Sequence, residues 1–98
     1  MIIKLQKILN LEETGVLDRK TIIKAVEMKS DFKVISWLQE FLNGTNCPQK
    51  LKITGVFDSD TRQVLTYFQK EYGWKLNIQN VTSEFDRHTM SLIAAYLQ

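Results

Sequence analysis

Hydrophobic positions along the chain fall into stretches with helical spacing. Between 33 and 43, Val34, Trp37, Leu38, Phe41 and Leu42 recur at i, i+3, i+4, i+7 and i+8, the stripe that one face of a helix buries. Asn43-Gly44 supplies its stop. After Asp58, Val64, Leu65, Phe68 and Tyr72 mark a second helix that is expected to end at Gly73, and after Asp86, Met90, Ile93, Ala94 and Leu97 mark a third. Two shorter helices are predicted over 2–10, through Ile2, Leu5, Ile8 and Leu9, and over 18–29, through Ile22, Ile23 and Val26. The pattern specifies an all-α fold, a small bundle of about five short helices. The extended stretches 51–57 and 76–85 have room for at most a short strand pairing.

The chain also repeats a phrase. Thr14-Gly15-Val16-Leu17-Asp18-Arg19-Lys20-Thr21 returns as Thr54-Gly55-Val56-Phe57-Asp58-Ser59-Asp60-Thr61, and more loosely as Thr82-Ser83-Glu84-Phe85-Asp86-Arg87-His88-Thr89. Each copy follows a helical stretch that carries a hydrophobic-Gln pair: Leu5-Gln6, Leu38-Gln39 and Phe68-Gln69. Read physically, the phrase is a tight turn feeding a helix. Gly15 and Gly55 tolerate positive φ, the large apolar residue (Leu17, Phe57 or Phe85) plugs the core, and Asp18, Asp58 or Asp86 caps the helix that follows. Thr21, Thr61 and Thr89 close the three phrases. The glutamines are expected to turn inward and bond to turn backbone, because a buried amide must find partners.

Helix, loop, Gly-x-Phe-x-x-x-Thr turn, helix ending in Phe-Gln, and a further turn and helix: this order resembles the peptidoglycan-binding-domain-like family. The residues that carry the resemblance are Ile35, Leu38, Gln39 and Leu42, then Gly55, Phe57 and Thr61, then Val64, Phe68 and Gln69, then Phe85, Thr89 and Leu97. It implies a single compact domain over 1–98, made of a complete three-helix unit (31–98) and a preceding half unit (1–30). Thr54 stands where the family usually has Asp, and Asp58 where it has a second Gly. The Thr-Gly-x-aliphatic-Asp form is similar to the helical region of matrix metalloproteinase propeptides, which share the fold. Cys47, in Asn46-Cys47-Pro48-Gln49, does not match the cysteine switch of those propeptides.

Composition narrows the chemistry. The 98 residues suffice for one core, and 44% hydrophobic with 24% charged residues is an ordinary globular mix. A net charge of +2, with the signs interspersed, calls for neither nucleic acid nor membrane as a partner. Lys4, Gln6 and Lys7 interrupt the first apolar stretch, so no signal peptide is expected in this chain. One Cys and one His offer no four-ligand metal site by themselves. His88, near the start of its helix, is expected to be solvent-exposed. Glu12-Glu13 and Asp58/Asp60 are acidic pairs, but they lie in loops and first helical turns, where carboxylates favour the helix dipole. With no P-loop or dinucleotide turn either, the chain reads as a non-enzyme with no cofactor.

Candidate binding residues are the aromatics Trp74, Tyr72 and Tyr67, at and before the end of a helix, together with Asp58 and Asp60; Trp74 could alternatively close the core. Trp37 falls on the buried stripe. The resemblance implies a non-catalytic module that binds the glycan or stem peptide of bacterial cell-wall peptidoglycan. It would anchor a fused or neighbouring hydrolase, as in a phage or bacterial lysin, at the wall or in the extracellular space. A shallow groove between the second and third helices of the complete unit is expected to present backbone groups, carboxylates and an aromatic together. The alternative is a protein-interaction or scaffold domain on the same fold, without wall binding.

Overall fold

The computed structural model describes residues 1–75 and 80–97. Its helices are α1 (Ile2–Ile8), α2 (Arg19–Glu27), α3 (Phe32–Asn43), α4 (Ser59–Lys75) and α5 (Arg87–Tyr96). No strand occurs among the described residues; part of the extended stretch expected at 76–85 lies outside them. Close packing joins α1 to α3, α3 to α4, α4 to α5 and α5 to α2. The helices thus follow one another around a shared core, with α1 and α2 as the two ends of the series.

The α3 stripe is buried as its spacing requires: Val34, Trp37, Leu38, Phe41 and Leu42 are all inside, joined by Val64, Leu65 and Phe68 of α4. Phe41 stands edge-on to Phe68 at 5.4 Å, and both meet the Tyr96 ring of α5, at 5.5 and 5.7 Å. In α5 the buried apolar residues are Met90, Leu92 and Ile93, whereas Leu97, just past its end, is exposed, so the inward face sits slightly off the one its spacing suggested. Helix α2 buries only Thr21 and Ala25. Its large apolar residues Ile22, Ile23 and Val26 remain half-exposed. Of the three core plugs, Phe85 is buried, while Leu17 and Phe57 pack at the rim. The Arg62 guanidinium lies 5.1 Å from the centre of the Phe57 ring.

Each repeated phrase is fastened by the glutamine before it. Gln39, fully buried, accepts at Oε1 from the backbone N–H groups of Thr54 (2.9 Å) and Gly55 (3.0 Å). Its amide nitrogen, with two hydrogens, serves the Val56 carbonyl (3.0 Å) and the hydroxyls of Thr54 (3.2 Å) and Thr61 (3.0 Å). Gln6 makes the same bonds to Thr14, Gly15, Val16 and Thr21, lacking only the one to the Thr14 N–H. Gln69 does so with the Thr82 and Thr89 hydroxyls and the Ser83 N–H. The turn then closes on itself: the hydroxyls of Thr14, Thr54 and Thr82 accept from the N–H two residues on.

Backbone conformation explains the glycines. Gly15 and Gly55 have φ of +75° and +78°, and Ser83, at the same place in the third copy, has φ +58°. A serine is therefore held in a conformation that glycine reaches without strain. Gly55 carries a second constraint, since a Cβ there would sit 2.9 Å from both the Cβ and the carbonyl oxygen of Phe32. At Gly15 the nearest contact would be an ordinary 3.6 Å.

Helix ends follow local chemistry. Asp18, Asp58 and Asp86 each accept from the N–H of the threonine three residues on, at 2.9 Å, and Asp31 caps α3 through Lys33 N–H at 2.8 Å. Helix α1 ends in a Schellman motif: Asn10 has φ +58°, Leu11 N–H bonds the Gln6 carbonyl and Asn10 N–H that of Lys7. Helix α3 ends at Gly44 with φ −82°, so the stop does not use glycine's left-handed freedom. Instead, the Asn43 side chain bonds both the N–H and the carbonyl of Leu51, closing the intervening loop. Helix α4 does not end at Gly73 but continues to Lys75, with Gly73 buried inside it. Glycine interrupts a helix only when it turns left-handed; kept helical it costs about 1 kcal/mol.

Two measurements test this account of the turns. Gln39→Met conserves volume but strands two backbone donors and a carbonyl, and is expected to cost at least about 3 kcal/mol in urea unfolding, on the usual cost of buried unpaired groups. Gly15→Ala is expected to lose about 1–2 kcal/mol through φ alone, and Gly55→Ala clearly more because of the Phe32 clash. Equal losses would refute the clash.

Candidate binding surface on α4

Helix α4 receives one staple and provides the next. Its Thr61 is held by Gln39, and its own Gln69 holds the turn into α5. At the turn before α5, Arg62 pairs with Glu84 and donates to the Ser83 carbonyl, while Thr66 bonds the Ser83 hydroxyl. The helix is thereby fixed along most of its length, and the candidate residues it carries have defined places.

Trp74 is 73% exposed and does not close the core. Tyr67, one heptad earlier and 37% exposed, lies on the same side of the helix. The two rings are about 10 Å apart along the axis, at a rise of 1.5 Å per residue. Lys70 and Glu71, both exposed, stand between them, with Gln63 a turn before Tyr67. The surface is an aromatic ridge with polar groups interleaved.

Tyr72 belongs elsewhere. Its ring packs at 5.0 Å from Phe68 and 4.6 Å from Tyr96, and the Lys75 ammonium lies 5.2 Å from its centre. Burial, then the hydrogen bond with Tyr96, raises its hydroxyl above the ordinary tyrosine value. It is a half-buried packing residue, not part of the ridge.

The acidic candidates sit at the opposite end of α4. Asp58 uses Oδ1 for the cap, accepting from both the N–H (2.9 Å) and the hydroxyl (2.8 Å) of Thr61. With Asp60 it borders a small polar concavity shared with Lys50, Lys52 and Thr54. Asp60 lies about 21 Å from Trp74 along the axis. The carboxylates and the aromatics therefore do not converge, contrary to the groove expected between α4 and α5, because a straight helix cannot fold its two ends together.

The other turn residues are placed as the repeat implied. Gly15, Gly55, Phe57, Thr61 and Thr89 form the turns, and Asp18, Asp58 and Asp86 the caps. The Thr89 hydroxyl differs from its counterparts: it donates to the Glu84 carbonyl, whereas those of Thr21 and Thr61 donate to Asp18 and Asp58. Accepting the threonine backbone N–H first, and its hydroxyl second, lowers the Asp18 and Asp58 carboxyls below their ordinary value of 3.8. His88 departs from its expected exposure: it is half-buried, and its Nε2 is buried with no hydrogen-bond partner among the described residues. Among those residues no cluster of three or more His, Cys, Asp or Glu is placed to hold a metal ion. No described helix is long and apolar enough to cross a membrane.

Elsewhere, a solvent-open groove of about 580 Å³ runs between the end of α1 and α2. Sequence reasoning missed it, since Ile8 and Ile23 read simply as core positions; their only warning was that α2 has adjacent isoleucines pointing about 100° apart. No protein-family model matches the chain, and neither the curated proteins nor the solved structures compared with it include a match.

The two depressed carboxyls have a consequence for acid stability. Their contribution is complete above the unfolded value, near pH 4, and is lost as pH falls through the lower folded values. Asp18→Asn/Asp58→Asn keeps an acceptor oxygen at each cap but removes the titration. Thermal unfolding between pH 5 and pH 2 is expected to show a shallower acid decline in the variant than in the native chain. The difference should be small, because both groups face solvent; parallel curves would remove these caps from the acid response.

Proposed function

We propose that the chain is a non-catalytic module that binds bacterial cell-wall peptidoglycan and holds a lytic or wall-acting partner on it. The observation that carries this reading is the exposed Tyr67–Trp74 ridge on a helix stapled from two directions. The order of turns and helices that resembles peptidoglycan-binding-domain-like proteins supports it.

Aromatic faces suit sugars because a ring can cover the apolar C–H face of a pyranose while polar neighbours meet its hydroxyls. On this helix Lys70 and Glu71 flank the rings and Gln63 extends the line. A lysine there pairs with a stem-peptide carboxylate, and the amide and carboxylate meet hydroxyl or acetamido groups. The separation of the two rings is close to one disaccharide of an extended glycan, so both engage the same strand. What the module contributes is effective concentration: tethering makes the partner's encounter with the polymer intramolecular. Electrostatic attraction adds little at a net charge of +2 and fades with salt.

Co-sedimentation with purified sacculi tests the reading. The native chain is expected in the pellet at low salt, with Trp74→Ala retaining its melting temperature but binding about tenfold more weakly, or about 1.4 kcal/mol. Asp58→Ala, which removes a cap worth about 1 kcal/mol, should leave retention unchanged once folded. Full recovery of the native chain in the supernatant would refute wall binding.

A further inference from the structure

We propose that the groove between α1 and α2 docks an amphipathic helix of a partner protein, with a large aromatic or aliphatic side chain at its centre and carboxylates along its flank. The groove is independent of whatever α4 binds. Its floor is apolar, with Ile8, Leu11, Ile23 and Met28, and two lysines, Lys20 and Lys24, stand at its edge.

The occupant follows from the repeat. Aligning the three staples by glutamine and threonine makes Leu9, Leu42 and Tyr72 equivalent, three residues past Gln6, Gln39 and Gln69. It likewise makes Met28, Phe68 and Tyr96 equivalent, seven past Thr21, Thr61 and Thr89. Each stapled pair of helices therefore presents the same face. In the α3–α4 pair a third helix covers it, with Tyr96 of α5 against Phe68 at 5.7 Å. The α4–α5 pair is covered too, where Phe41 of α3 meets Tyr96 at 5.5 Å. In the α1–α2 pair Leu9 is itself buried, but on α2 Lys24 and Met28 are half-exposed in the groove, where the other pairs bury Val64, Leu92 and Phe68; no described residue of α3, α4 or α5 lines it. Two positions that a third helix helps to bury in the other pairs are thus part-open in this one, beside the half-exposed Ile23.

Charge selects among helices. Where the α3–α4 pair has buried Val64, the α1–α2 pair has Lys24, and Lys20 stands one turn before it. Among the described residues neither lysine has a carboxylate within 4 Å. Glu27 is the one acidic residue on the rim, leaving it net positive. A helix copied from α5 would bring Arg87 and His88 and no carboxylate but Asp86, whereas one with glutamates on its flank satisfies both lysines.

The test uses two designed peptides, each about 18 residues long, above the length below which an isolated helix is marginal in water. Both have a leucine face with a central tyrosine; one is flanked by glutamates and the other by lysines. With the full chain labelled for amide NMR, the glutamate peptide is expected to move resonances of residues 8–11 and 20–28. It should bind at least tenfold more tightly than the lysine peptide. Lys20→Glu/Lys24→Glu, which alters no residue of the hydrophobic core, should reverse that preference, and Ile23→Glu should abolish binding at unchanged melting temperature. Trp74→Ala should leave peptide binding intact while weakening sacculus binding, which separates the two sites. Equal affinity for both peptides, shifts centred on α4, or no shift with either peptide would overturn the proposal. So would concentration-dependent self-association that moves the same resonances, because it would give the groove to a second copy.

Discussion

A buried primary amide does in this chain what a neighbouring strand does in a sheet: it offers a donor and an acceptor side by side to a stretch of extended backbone. Gln6, Gln39 and Gln69 each take one turn this way, accepting from its N–H groups while donating to its hydroxyls, and to its carbonyl in the first two copies. The rest of the architecture depends on it. Without a partner for those groups, a turn lying against the core would carry unpaired backbone, and the helices before and after it would lose their common reference. The threonine at the end of each phrase completes the link, because its hydroxyl accepts from glutamine. In the first two copies that hydroxyl also donates to the capping aspartate, so one chain of hydrogen bonds runs from the first helix through the turn to the start of the next.

This arrangement accounts for which parts of the phrase vary. Val16 and Val56 sit at the exposed crest of the turn, and Glu84 replaces them in the third copy. Of the valines the turn uses only the backbone, whereas the Glu84 side chain also pairs with Arg62. Gly55 is fixed twice, by its φ and by Phe32, while Ser83 takes the same left-handed conformation with space for a side chain that then bonds Thr66. What is kept in all three copies is what the amide touches or what caps the helix.

Much of the scaffold was legible in sequence because it rests on local rules. The α3 stripe has strict helical spacing, and every residue of it is buried. Asp18, Asp58 and Asp86 lie three residues before a threonine, the spacing at which a capping side chain reaches a free N–H in the first turn of a helix. The inward glutamines could be expected from the pairing of Leu5-Gln6, Leu38-Gln39 and Phe68-Gln69 with a glycine turn or its equivalent. Features decided by distance across the fold were not legible. Tyr72 and Trp74 are neighbours in sequence, yet one packs against Tyr96 and the other faces solvent, a distinction fixed by where α5 lies. Gly73 looked like a stop, since glycine's two roles, helical and left-handed, have the same letter. The α1–α2 groove arises because no described residue of the other helices lines it, and absence of a neighbour leaves no local trace.

The two staples on α4 also bear on the entropy of recognition. Tyr67 lies between Thr61 and Gln69, inside the stretch held at both ends, so its backbone is already ordered before any ligand arrives. Trp74 projects more than a turn beyond Gln69, with its indole largely free of protein contacts. A ligand that meets both rings thus finds one anchor preset and one adjustable: little ordering cost falls on the first, and most of the rotamer freedom surrendered on binding belongs to the second.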